Sequence, residues 1–143
     1  MTVTSEQELA ERIVKGMTSR DGFSAWLGVE MVSVGPSSCT LRMKVRRDML
    51  NGFGVCHGGV TYSLADSALA FASNGHGTVT MSINNSISYP VAAYEGDVLT
   101  AVAEQESASN RIAFFNVKVL NQDDVPVAHF HGTVYRTSKQ HQA

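Results

Sequence analysis

At 143 residues the chain is long enough for one domain to bury most of the surface it exposes when unfolded, so its core requires neither disulfides nor metal. Charged residues make up 17% against a typical value of about 25%, and 11 Lys and Arg against 13 Asp and Glu leave a net charge of −2. These figures exclude a disordered chain and leave no electrostatic footprint for nucleic acid, while the shortage of charge predicts that another subunit covers part of the exterior.

The opening residues carry acids early and precede no apolar stretch, so they do not read as a secretory signal. The longest unbroken apolar run, Ala68 to Ala72, is far short of the roughly 20 residues of a membrane span. Cys39 and Cys56 form neither a C-x-x-C pair nor a disulfide framework, which points to a reducing cytoplasm. No linker or repeat divides the chain, so residues 1–143 are expected to form one domain.

Thr4 or Ser5 is placed to cap a first helix within residues 1–21, with Gln7 or Glu8 as the returning partner and Leu9, Ile13 and Met17 at helical spacing. Val29 to Val34, a Gly35-Pro36-Ser37-Ser38 turn, and the alternation of Leu41, Met43 and Val45 with Arg42, Lys44 and Arg46 predict a hairpin with one wet face. A Gly-rich connection over residues 47–59 leads to a second helix, 58–74, with Gly75 placed to stop it. Its apolar residues spread around most of the circumference and its polar ones are nearly all small, so this helix is expected to be buried, with a sheet wrapped around it. Thr78 to Tyr89, Asp97 to Ala108, Arg111 to Leu120 and Val125 to Arg136 are rich in Val, Ile, Thr and Phe, and their short links predict an antiparallel meander. The fold class is therefore α+β.

One carboxylate, Asp66, lies about two turns inside the buried helix. No Lys or Arg occurs between Gly52 and Asn110 to pair with it, burying an ionised group is costly unless it is paired, and an unpaired carboxylate kept in apolar surroundings points to acid, base or nucleophilic work. At the start of the same helix, Gly58 and Gly59 expose backbone N–H groups at the positive end of the dipole, a place that stabilises an anion or a developing oxyanion. Together these are the parts needed for acyl transfer. Gly58 and Asp66 are eight residues apart, roughly 12 Å along a helix, and both must approach one reacting carbonyl. The two halves are therefore expected to come from two copies of the helix, at a two-fold interface.

Met49-Leu50-Asn51-Gly52, Cys56-His57-Gly58-Gly59 and Ser63-Leu64-Ala65-Asp66-Ser67-Ala68 closely resemble the signature of the hotdog-fold acyl-CoA thioesterases of phenylacetic acid degradation, and Ile87-Ser88-Tyr89-Pro90 and Gly96-Asp97-Val98-Leu99-Thr100-Ala101 resemble that family's strand pair. The resemblance implies a hotdog fold, tetramers built from dimers with sites at the dimer interface, and hydrolysis of aryl- or arylacetyl-CoA without metal or other cofactor. By the same resemblance Asp66 is the base or nucleophile and Gly58 the N–H that polarises the thioester carbonyl. Asn51 contacts the carbonyl or the water, and His57 positions the loop. A related 4-hydroxybenzoyl-CoA branch has a hydroxyl residue one turn after its carboxylate; here that position is Ala70, with Ser67 or Ser63 as possible replacements. Gly59 and Ser67 are accordingly expected at the substrate. Tyr62, Phe71 and Phe53 are candidates for an aromatic acyl pocket, and Arg111, beside the Ser109-Asn110 turn, for the CoA phosphates. Cys56 as a thiol nucleophile and His129 with His131 as metal ligands are weaker readings than ordinary packing. The alternatives are a non-catalytic acyl-CoA-binding or regulatory protein of the same fold, which would not need Asp66, and a hydratase, which nothing in the spacing around His57 demands.

Overall fold

A computed structural model describes residues 3–142, with side chains from residue 5 onward. The chain runs α1 (Val3–Arg20), α2 (Gly22–Leu27), β1 (Glu30–Gly35), β2 (Ser38–Lys44), a short 3-10 turn (Arg47–Met49), α3 (Gly58–Asn74), β3 (Thr78–Ser88), β4 (Val98–Ala108), β5 (Ile112–Leu120) and β6 (Pro126–Gln140). No described helix is long and apolar enough to cross a membrane.

The first helix already includes Thr4 and Ser5, so neither is its cap; the Thr4 side chain lies outside the described residues. Gln7 turns outward from the helix instead of back along it, and its amide donates to Val34 O on β1 at 2.6 Å. The buried stripe of α1 is Ala10, Ile13 and Val14, with Met17 packed at the edge of the core. A second short helix, absent from the sequence-based expectation, follows at once. Asp21 caps it through Ser24 N at 2.9 Å, and Gly28, at φ 80°, ends it. Its Ser24 hydroxyl meets Ser67 of α3 at 2.8 Å, in the interior.

The third helix has the expected bounds, and its sides are buried except for Gly58, Gly59, Val60, Tyr62, Ser63, Asp66 and Ala70. Burial of Leu64, Leu69 and Phe71 contributes roughly 1.5–3 kcal/mol each. Gly75 ends the helix for a reason other than a left-handed turn. Its φ is −63°, and a Cβ there would come within 2.9 Å of Gly35 O, so the hairpin's approach is what excludes a side chain.

All six strands form one antiparallel sheet in the order β1-β2-β4-β5-β6-β3. Strand β2 buries Leu41 and Met43 and exposes Arg42 and Lys44, as its alternation predicts. The expected meander is corrected at one place: β3 pairs with β6 and not with β4. Residues 89–97 cross the N-terminal end of α3, anchored where Ala93 O accepts from Cys56 N at 2.8 Å, and this leaves β3 as an edge strand with Met81 and Ile83 exposed.

Candidate active site

Residues 46–59 fold into a loop held by its own bonds and by ties to α2 through Arg46 and to residues 89–93 through Cys56 and Gly58. Asn51 is its hub: its side-chain oxygen accepts from Phe53 N at 2.9 Å and Val55 N at 3.3 Å, while its own N–H donates to Val55 O at 2.8 Å. The Asn51 amide NH2 has no acceptor among the described residues and borders a hollow of about 290 Å³ that also holds Cys56, Gly58, Thr61, Tyr89 and Val91.

The first turn of α3 meets this hollow. His57 caps the helix, its Nδ1 accepting from Gly59 N at 2.9 Å, so that nitrogen carries no proton in this arrangement and the ring is committed to holding the turn. Val60 N donates to His57 O at 2.9 Å. Gly59 N–H is thus occupied, and of these first three N–H groups Gly58 N–H alone has no acceptor among the described residues. Of the two N–H groups expected to face a carbonyl, the structure leaves one.

Tyr89, not singled out by the sequence, completes this end. Its phenol donates to Gly58 O at 2.7 Å, and a Cβ on Gly58 would stand 3.1 Å from its ring, so a side chain there would push the ring away by a few tenths of an ångström. The bond spans 31 residues and therefore leaves no local trace in the sequence. Burial pushes the Tyr89 hydroxyl above its ordinary value.

Asp66 occupies a different hollow, of about 260 Å³, with Ala70, Ser73, Thr80, Met81 and Ser82. Its carboxylate has no hydrogen bond or ion pair among the described residues, and burial raises its pKa above the usual carboxylate range. The two hollows share no residue, so one chain does not bring Asp66 and Gly58 together. On α3 the open stripe Gly59, Ser63, Asp66 and Ala70 is small apart from Asp66 itself.

The remaining candidates separate. Ser67 faces inward onto Ser24, away from the Asp66 carboxylate, and the hydroxyls around Asp66 come from Ser73, Thr80 and Ser82 instead. Ser63 donates to Gly59 O at 2.8 Å. Tyr62 accepts from Asn85 at 3.1 Å and packs edge-on against Phe130, lining neither hollow. Phe71 is core, and Phe53, 92% exposed, is the tip of the loop, so none of the three aromatics expected around the acyl group borders Gly58 or Asp66. Arg111 donates to Arg136 O at 3.2 Å beside the β4–β5 turn and lines neither hollow.

The Cys56 thiol lies 3.7 Å from Thr61 Oγ1 and is pushed up by burial, which makes it a poor nucleophile. His131 stacks on Phe114 and lies 3.4 Å from Glu106. A further hollow, of about 570 Å³ over β4, β5 and β6, borders neither Gly58 nor Asp66.

A family described as the thioesterase superfamily matches residues 53–128. The acyl-coenzyme A thioesterase PaaI of Escherichia coli K12 is 32% identical over 120 residues, covering 84% of this chain and 86% of its own. The solved structure of the E. coli PaaI protein from the phenylacetic acid degradation operon superposes with a TM-score of 0.92 at 29% identity, covering 94% of this chain and 97% of its own. A Streptococcus mutans structure bound to acetyl-CoA superposes with a TM-score of 0.76 at 26% identity, over 79% of this chain and 91% of its own.

Proposed function

The chain belongs to the thioesterase superfamily, with the sheet-around-helix architecture of the hotdog fold, and from that premise we propose that it hydrolyses acyl-CoA thioesters to free acid and CoA. The observation that carries the reading is an unpartnered, half-buried carboxylate at Asp66 on the same helix whose first turn leaves the Gly58 N–H unoccupied. In this reading the thioester oxygen sits between Gly58 N–H and the Asn51 amide, which take up the negative charge as the carbonyl becomes tetrahedral. Asp66 removes a proton from the attacking water, a task suited to a carboxylate whose pKa is raised by burial. Collapse of the intermediate expels the CoA sulfur, which leaves as the thiol once protonated. Carboxylate, amide, backbone N–H and water suffice, so the reading calls for no metal or other cofactor.

Because Asp66 and Gly58 lie in separate hollows of one chain, the working site takes Asp66 from one subunit and Gly58 and Asn51 from another. The small stripe on α3 suits close approach of a second copy, and we infer a homodimer that doubles into a tetramer. The free, buried Cys39 and Cys56 accord with a reducing cytoplasm. For the acyl group we propose phenylacetyl or its ring-hydroxylated forms, a role in phenylacetic acid degradation that the name and operon of the E. coli relative support.

The test is release of CoA thiol from phenylacetyl-, hydroxyphenylacetyl-, benzoyl- and straight-chain acyl-CoA. The expected result is turnover throughout the aryl set, with kcat/KM highest for the arylacetyl esters. Binding of these esters without release of thiol would overturn the hydrolytic reading in favour of a non-catalytic acyl-CoA-binding protein.

A further inference from the structure

On the other side of the His57–Gly59 turn from Asn51 lies a third hollow, of about 260 Å³, walled by Phe23, Trp26, Met49, Leu50, Val60 and Ser63. Gly58 borders the Asn51 hollow and His57 and Gly59 border this one, so a carbonyl held at Gly58 N–H has space on both sides, one for each of its substituents.

Phe23 and Trp26 are each 56% exposed, which is unusual for two neighbouring large aromatics on a six-residue helix. They are also held still. Their rings stack at 6.0 Å with an interplanar angle of 27°, and the Arg46 guanidinium lies 5.2 Å from the Trp26 ring. The same guanidinium donates to Leu27 O at 2.9 Å and Trp26 O at 3.0 Å, and is paired with Asp48 at 3.2 Å. With Asp21 capping α2 and Ser24 bonded to Ser67, the aromatic wall is ordered before anything binds, which lowers the entropic cost of binding.

We propose that this hollow is the acyl pocket and that Phe23 and Trp26 select a flat aryl group within it. The inference rests on the thioesterase reading above and adds the location and the residues. A rigid ring loses less conformational freedom there than a flexible alkyl chain, and it meets stacked ring edges and the Met49 thioether. Ser63 uses its own hydrogen on Gly59 O, so its oxygen offers only lone pairs to the hollow and can accept from a ring hydroxyl.

Trp26 is the chain's single tryptophan, so its fluorescence reports the pocket directly. With the Asp66→Asn chain, titration with phenylacetyl-CoA should change that fluorescence strongly, and acetyl-CoA at equal saturation should not; equal responses would overturn the pocket assignment. In the active enzyme, Trp26→Ala should lower the ratio of kcat/KM for phenylacetyl-CoA to that for acetyl-CoA by about tenfold or more, and Trp26→Phe should restore most of it. An unchanged ratio in an active enzyme, including a variant that only alters the oligomer's mass, would overturn the inference and leave the thioesterase reading standing. Failure of the wild-type chain to release thiol from any ester would sink that reading, while the fluorescence result would still decide the pocket.

Discussion

At the first turn of α3 nearly every polar group has a partner, whereas two turns further on Asp66 has none. Asn51 ties its loop, His57 caps the helix and Tyr89 holds Gly58 O, so that end is stiff while the Gly58 N–H and the Asn51 amide stay open beside one hollow. The Asp66 end is the reverse, a lone carboxylate beside hydroxyls that form bonds elsewhere. One end is preorganised to receive charge, and the other holds a charge that the isolated chain does not satisfy. Neither is a complete site.

Replacement at the unsatisfied end should have the largest effect. Asp66→Asn is expected to lower kcat by roughly a hundred- to ten-thousand-fold, as loss of a general base does. Because burial raises the folded pKa of Asp66, its stabilising contribution is fullest below the ordinary carboxylate range and is lost as pH rises through the raised value. At neutral pH the ionised group therefore destabilises the fold, and Asp66→Asn should raise Tm, as read by differential scanning calorimetry. A fall in Tm would mean that Asp66 is stabilised by a partner. In the wild-type enzyme the acid limb of kcat/KM should lie above the ordinary carboxylate pKa of about 3.9.

At the satisfied end, Asn51→Asp keeps the oxygen that holds the loop and removes the NH2 donor. Its kcat should fall on the order of a hundredfold, the size seen when one oxyanion donor is lost, with circular dichroism and Tm near wild type. A large drop in Tm would make Asn51 a loop residue alone. Smaller still, His57→Ala should cost about 1 kcal/mol of stability by removing the cap, and His57→Asn should regain most of it in denaturant melts. If His57→Asn stayed as stable as wild type but lost kcat by orders of magnitude, His57 would be moving protons instead.

Much of this contrast was legible in the sequence. The apolar circumference of α3, its Gly-Gly start and the isolation of Asp66 from any Lys or Arg are local patterns, and the helix bounds and the eight-residue gap followed from them. What stayed hidden depends on contacts far apart in the chain. The Tyr89 bond to Gly58, the turn of Ser67 toward Ser24 and the pairing of β3 with β6 across residues 89–97 are decided by packing. The aromatic wall was missed because α2 is only six residues long, too short to show a period.

The shortage of charge also becomes local. Between Gly52 and Asn110 the only charged residues are Asp66, Glu95, Asp97, Glu104 and Glu106, and that span holds both α3 with its open stripe and the edge strand β3. In the proposed dimer it is the surface on which the two half-sites meet.

That meeting is tested most directly by mixing the two deficient chains. Asp66→Asn and Asn51→Asp, each nearly inactive alone, are unfolded together and refolded as a mixture. If the site takes Asp66 from one chain and Asn51 with Gly58 from another, mixed dimers contain one fully wild-type site, and an equal mixture should recover about one quarter of wild-type activity. Activity that stays at the sum of the two variants alone, in a mixture shown by mass to contain mixed oligomers, would contradict the shared site.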